Sequence, residues 1–236
     1  MYEPKKYAVS LSLIVLFTLF LFLIDSQLET AMSQQTSSAH HQFTVVIDAG
    51  HGGFDSGKVG IDGTLEKDMN LLISKKLKTL LESCDIHVIM TRTEDTSLSK
   101  EGTSNQKRQD MQARATLMNN AAPDCIISIH HNSYTEESID GAQVFYYTPS
   151  NKGKTLAALI QQSLIKRADP SNHRKEKSND SYFLLKQAQA PIVIVECGFL
   201  SNRKECKKIK DDTYQQQLAW AIHMGILQYL NGLTTS

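Results

Sequence analysis

Four residues of this chain have the types that a mononuclear zinc hydrolase needs: His51, Glu66, His130 and Glu196. Each stands where an apolar run ends or a helix begins. Phe43-Thr44-Val45-Val46-Ile47-Asp48 runs into Ala49-Gly50-His51-Gly52-Gly53. Cys125-Ile126-Ile127-Ser128-Ile129 ends at His130, and Ile192-Val193-Ile194-Val195 ends at Glu196. Glu66 opens an amphipathic stretch after a Gly-rich loop. Two imidazoles and one carboxylate make a zinc ligand set that keeps a fourth position for water. A further carboxylate beside that water is the usual general base. Open α/β sheets form their sites outside the carboxyl ends of strands, which is where three of these four residues stand.

Taken singly, most of these residues have a second reading. The glycines around His51 let the backbone turn tightly and carry the imidazole to a cleft. The same turn lacks GxGxxG and the Lys and Ser/Thr of a P-loop, which argues against a phosphate cradle. Asp48 either holds the second nitrogen of a ligand imidazole or serves turn chemistry at a strand end. Glu66 at a helix start is also accounted for by the helix dipole, with Asp62 and Asp68 as alternatives in reach. His130 and His131 are adjacent on a strand, so they point to opposite faces and one of them joins the site. Asn132 and Ser133 stand where they could contact substrate. A carboxylate at 196 is costly on an apolar strand unless it is functional or paired, and the paired alternative is a salt bridge with Arg92 or Arg114. Arg92 ends another strand, where a guanidinium could orient a carboxylate of the site or of the substrate.

The elements that must position these residues alternate along the chain. Strands are predicted at 43–48, 86–91, 125–130, 142–147 and 192–196. In the helix predicted near 67–82, Met69, Leu72, Ile73, Leu77, Leu80 and Leu81 recur at helical spacing. Further helices are predicted over 105–120, 152–167 and 211–230, the last with Leu218, Ile222, Gly225, Ile226 and Tyr229 on one face. Strands separated by helices predict an α/β fold: a single, mostly parallel twisted sheet with helices on both faces. The run at 142–147 follows 125–130 after a short loop, so it is expected to pair antiparallel and make the sheet mixed.

The 236 residues suit one ordinary domain with a short extension. With 25 basic and 25 acidic residues, the charge balance does not point to a nucleic-acid partner. The strongest basic run, His173-Arg174-Lys175 with Lys177, reads as a solvated loop. Lys5 and Lys6 precede Ala8 to Ile24, an uncharged run that spans about 25 Å as a helix. It reads as a signal peptide or membrane anchor, and the lack of a clean small-x-small site favours the anchor. No Lys or Arg recurs until Lys58. That asymmetry places residues 1–7 in the cytoplasm and the main domain outside the membrane. Residues 25–42 read as a flexible linker, 43–231 as the catalytic domain and 232–236 as a tail. Cys84, Cys125, Cys197 and Cys206 match no zinc-finger or CxxC spacing. They read as packed thiols, with a disulfide as the alternative in an exported chain.

The blocks IDAGHGGFDSGKVG, Glu66-Lys67, SIHHNS and IVECGFLSN, in that order, resemble the signatures of zinc-dependent N-acetylmuramoyl-L-alanine amidases of the amidase-3 type. The resemblance covers residues 43 to 231. It implies Zn²⁺ held by His51, Glu66 and His130, Glu196 as catalytic base, and His131 as a packing or surface residue. It implies peptidoglycan glycan strands with stem peptides as the partner, cut at the amide between N-acetylmuramic acid and L-alanine. The segment TRTEDTSLSKEGTSNQKRQDMQAR, at 91–114, looks like the germination-specific amidases of endospore formers. That likeness implies a role in muramic δ-lactam formation in the spore cortex and in germination, together with a muramic acid deacetylase. The expected location is the cell envelope, on the outer side of the forespore membrane. The alternatives are a general cell-wall or cell-division amidase and, from other classes, a zinc exopeptidase or an inactive wall-binding domain.

Overall fold

The apolar runs around positions 45, 126 and 193 become adjacent central strands, because strands covered on both faces need side chains that shed water on both faces. The computed structural model describes residues 43–234 except 101 and 103, together with Thr18, Phe20, Phe22 and Ile24 in helical conformation. In chain order the elements are β1 (Thr44–Ala49), α1 (Glu66–Glu82), β2 (His87–Met90), α2 (Gln106–Asn120), β3 (Cys125–Asn132) and β4 (Gln143–Tyr147). They continue with α3 (Asn151–Arg167), β5 (Lys177–Asn179), α4 (Phe183–Gln187), β6 (Ile192–Phe199), α5 (Arg203–Ile209) and α6 (Asp212–Thr234).

The six strands form one sheet in the order β2-β1-β3-β6-β4-β5. β2, β1, β3 and β6 run parallel. β4 is antiparallel to β6, and β5 is parallel to β4. The sheet is therefore the expected mixed one. β5, α4 and α5 are additions to the elements read from the sequence, and α6 carries helix through Leu233 and Thr234.

The strand pleat sorts the core into two halves. Val45, Ile47, Ile127, Ile129, Val193 and Val195 pack on one face against α1, α3 and α6. Val46, Ile126, Ile192 and Ile194 pack on the other against Ala115 and Met118 of α2 and Leu184 and Leu185 of α4. The same alternation carries Asp48, Ser128, His130 and Glu196 onto this second face. One of the two helices there, α4, is only five residues long. The carboxyl ends of β3 and β6 are left beside an open cleft.

Cys125, Cys197 and Cys206 are buried free thiols, and Cys84 is an exposed one. Arg174, from the basic run, is drawn into the fold rather than solvated. Its guanidinium donates to the Asp140 carbonyl at 2.6 Å and stacks 4.7 Å from the Phe199 ring. Among the described residues no helix is long and apolar enough to cross a membrane. Most of the apolar run at 8–24 and all of the linker at 25–42 lie outside the described residues.

Candidate active site

Register builds the core of the site. His130 and Glu196 are direct partners across the parallel β3–β6 pair, so both side chains rise from one face at the strand ends. His51 arrives from the turn after β1 with φ 62°. That left-handed conformation costs a non-glycine residue about 1–2 kcal/mol and holds the imidazole inward. Gly50 is what lets it close: a Cβ there would lie 2.3 Å from the His130 ring. Glu66 is the first residue of α1 and buried.

The turn after β1, the start of α1 and the end of β3 bring His51, Glu66 and His130 into one cluster whose ligand atoms all lie within 4.8 Å of one another. Glu66 Oε1 is 3.2 Å from His51 Nε2 and 2.9 Å from His130 Nδ1. Ligands on a tetrahedral zinc with bonds of about 2.0–2.1 Å stand about 3.3 Å apart. The donor set of two nitrogens and one oxygen therefore fits the ion closely. The other carboxylate oxygen, Glu66 Oε2, accepts the Lys58 backbone N–H at 2.7 Å, which fixes the plane of the group.

Asp55 holds the far side of His51. Its Oδ2 accepts from His51 Nδ1 at 2.8 Å. Because an ionised carboxylate only accepts, the proton sits on Nδ1 and Nε2 is left to bind a metal. Burial pulls the His51 pKa down, but Asp55 and Glu66 outweigh it and raise it to about 9 in the metal-free chain. Glu66 is pushed well below the usual carboxylate range: burial opposes this, and the two imidazoles prevail.

Glu196 is the odd group of the site. It is only 8% exposed, and its Oε2 has no hydrogen-bond partner. Burial raises its pKa to about 7, against the pull of His130 and His51. A buried carboxyl with an unanswered oxygen is costly, and its place in the lining of the cleft gives the group a use. The cleft, of about 230 Å³, is lined by these four residues and by Lys58, Asn132, Met111, Tyr182 and Ile194 among others.

The structure corrects two of the earlier expectations and sets aside one alternative. Asp48 does not hold a ligand imidazole. It is wholly buried beneath the site, where Arg114 Nη1 donates to Oδ1 at 2.6 Å and Ser128 Oγ to Oδ2 at 2.6 Å. Burial alone would raise its pKa, but Arg114 and Ser128 hold it below the normal value. The imidazole partner is Asp55 instead. Arg92 orients no carboxylate; it clamps the β1 turn by donating to the backbone carbonyls of Ala49, Gly50, Lys67 and Glu94. Glu196 forms no salt bridge with Arg92 or Arg114, because Arg114 is spent on Asp48 and Asp110. His131 faces away toward α1, where it pairs with Asn70 Oδ1 at 2.8 Å; burial lowers its pKa to about 4, so it packs as a neutral ring. Asn132 lines the cleft, with its Oδ1 accepting the Ser133 N–H.

Asp55, Lys58 and Tyr182 are site residues that the sequence reading passed over. The available signal for Asp55 was a carboxylate four residues from a candidate ligand in the same Gly-rich loop.

Known proteins resemble this chain in sequence and in fold. Residues 45–228 match the family model described as N-acetylmuramoyl-L-alanine amidase. The chain is 34% identical to the germination-specific N-acetylmuramoyl-L-alanine amidase of Bacillus subtilis over 95% of its own length and 96% of that protein. Among solved structures it resembles the CwlD amidase from Clostridioides difficile, determined in complex with the GerS lipoprotein. The TM-score is 0.78 and the identity 41%, over 80% of this chain and 98% of that one. It also resembles the amidase AmiC2 of Nostoc punctiforme, with a TM-score of 0.71 and 30% identity over 80% of this chain and 98% of that one.

Proposed function

The chain belongs to the N-acetylmuramoyl-L-alanine amidase family, and from that premise we propose how its residues perform the reaction and where it acts. As an amidase of peptidoglycan it hydrolyses the bond between the lactyl carbonyl of N-acetylmuramic acid and the amine of L-alanine. That membership sets aside the zinc exopeptidase and inactive-domain readings.

The observation that carries the mechanism is the cluster of His51, Glu66 and His130 beside a carboxylate with an unanswered oxygen. His51 through Nε2, Glu66 through a carboxylate oxygen and His130 through Nδ1 would hold a zinc ion. When bound, zinc supplies Lewis acidity toward the scissile carbonyl and the attacking water. Asp55 keeps His51 in the tautomer that offers Nε2. Glu196 takes the water's proton and delivers it to the departing alanine nitrogen. In the metal-free chain burial raises the Glu196 pKa to about 7, so the carboxylate takes a proton more readily than an exposed one would.

The cellular role we propose is cortex maturation in the spore. The full-length likeness to a germination-specific amidase supports it. The chemistry is that a muramic δ-lactam can close only after the muramic carboxyl is freed from its peptide, so this enzyme would act before a muramic acid deacetylase. Lys5, Lys6 and the apolar run after them support a place at the outer side of a membrane, where that substrate lies. The relative solved with a lipoprotein supports a protein partner.

The test is digestion of intact peptidoglycan by the purified full chain, followed by product masses. Release of peptides beginning with L-alanine is expected, and cleavage within the peptide would refute the reading. Cortex from a deletion strain is expected to lack δ-lactam and keep its peptides; normal lactam would reduce the role to that of a general wall amidase.

A further inference from the structure

The cations around the cleft are unequal. Lys67 Nζ pairs with Asp95 at 2.6 Å and with the Gly53 carbonyl at 2.9 Å. Lys107 Nζ stands 3.4 Å from Asp55. Arg92 and Arg114 are buried and fully engaged beneath the floor. Lys58 alone among the cleft-lining residues carries a permanent positive charge. It is exposed, and among the described residues no acceptor pairs with its ammonium group.

Its position is nevertheless fixed. The Lys58 backbone N–H donates to Glu66 Oε2 at 2.7 Å. Gly57 before it has no room for a side chain: a Cβ would lie 2.5 Å from the same oxygen. The main chain at 57–58 is thus held against the catalytic cluster, while the long stem stays free to reach. The Lys58 charge acts across the cleft on Glu196, pulling down a carboxyl that burial raises.

The substrate is asymmetric in charge. On the sugar side of the scissile amide it offers hydroxyl and N-acetyl groups, which are neutral. On the peptide side it offers carboxylates. A carboxylate entering this cleft meets Glu66 and Glu196, and among the described cleft-lining residues Lys58 is the one lysine or arginine that offsets them.

We propose that Lys58 is a specificity residue of this enzyme, which binds a free carboxylate on the peptide just beyond the L-alanine and so selects substrates in which that group is not amidated. This rests on the amidase reading above. A fixed backbone with an unpaired ammonium, beside a carboxylate-bearing half of the substrate, is what such selection needs.

The experiment compares two muramoyl-peptides that differ only in a carboxyl or carboxamide on the residue after L-alanine. Each is given to the full-length zinc-loaded chain, to Lys58→Gln and to Lys58→Arg, and the ratio of kcat/KM values is read. A lysine contact at a partly open site is worth about fivefold. The natural chain is expected to prefer the carboxylate by about that factor, mainly through KM. Lys58→Gln is expected to bring the ratio near one, and Lys58→Arg to keep it. A ratio near one in the natural chain, or one unchanged in Lys58→Gln, overturns the proposal. An equal fall on both substrates in Lys58→Gln also overturns it, since the lysine would then act on Glu196 or the loop. If neither substrate is cut at the muramoyl–alanine bond by any of the three, the amidase reading itself fails.

Discussion

Two groups of buried charge lie next to each other at the ends of β1, β3 and β6, and they are built on opposite principles. In the lower group Asp48 is answered by Arg114, Ser128 and Thr91, and Arg114 also reaches Asp110 at 2.6 Å. Every charge there has its partner within the chain. In the upper group three potential ligands crowd one another, and Glu196 Oε2 has no hydrogen-bond partner. Both groups are expensive to bury. The lower one recovers that cost by pairing, so it is structure. The upper one keeps unused bonding capacity, and unused capacity in a cleft is what a metal ion and a substrate can take up.

Breaking the lower group should be the more damaging to the fold. Arg114→Met leaves Asp48 charged and unpaired in the interior, which costs about 3–5 kcal/mol. Urea unfolding of the variant should show that loss; an unmoved midpoint would mean the two groups do not differ as described.

Breaking the upper group should spare the fold and remove the activity. Glu196→Gln is expected to lose about a hundredfold or more in kcat while keeping zinc. Near-natural turnover would show that Glu196 is not the base. The same variant sharpens the comparison through pH. The Glu196 pKa, about 7, lies above the ordinary value of 4.5, so the folded metal-free chain holds this proton more tightly than the unfolded one. Its contribution therefore favours the fold at low pH and is lost as pH rises from about 4.5 through 7. Metal-free Glu196→Gln should lack that component, so its stability relative to the natural chain should rise over this window. A difference that stays flat with pH would contradict the burial argument.

Asp55→Asn should have the smallest effect. Losing the carboxylate behind a ligand imidazole weakens metal binding by about tenfold or more, and a zinc titration reads it directly. Unchanged affinity would leave Asp55 as a loop contact only.

The sequence marked the strands well, because β-branched runs leave little choice of structure, but β3 runs on to Asn132 and β6 to Phe199, past the predicted ends at His130 and Glu196. It could not show that these two are cross-strand partners, since 65 residues separate them and register is decided by the whole sheet. Asp48 and Arg92 were misassigned for a related reason. A charged residue at a strand end looks the same in sequence whether it faces a cleft or a floor, and only packing showed Arg114 of α2 arriving underneath. Asp55 lay in an irregular loop with no periodicity to read. β5 is three residues, Lys177-Ser178-Asn179, with no apolar alternation, and α5 is a seven-residue helix dominated by charge.

The central claim is that His51, Glu66 and His130 reserve their bonding capacity for one metal ion, and zinc stoichiometry of the purified full chain tests it most directly. Elemental analysis should find one zinc per chain in the natural protein and in Glu196→Gln, and no tightly held zinc in His51→Ala or His130→Ala, because an open three-ligand site cannot spare a ligand. Full zinc in both histidine variants would contradict the account.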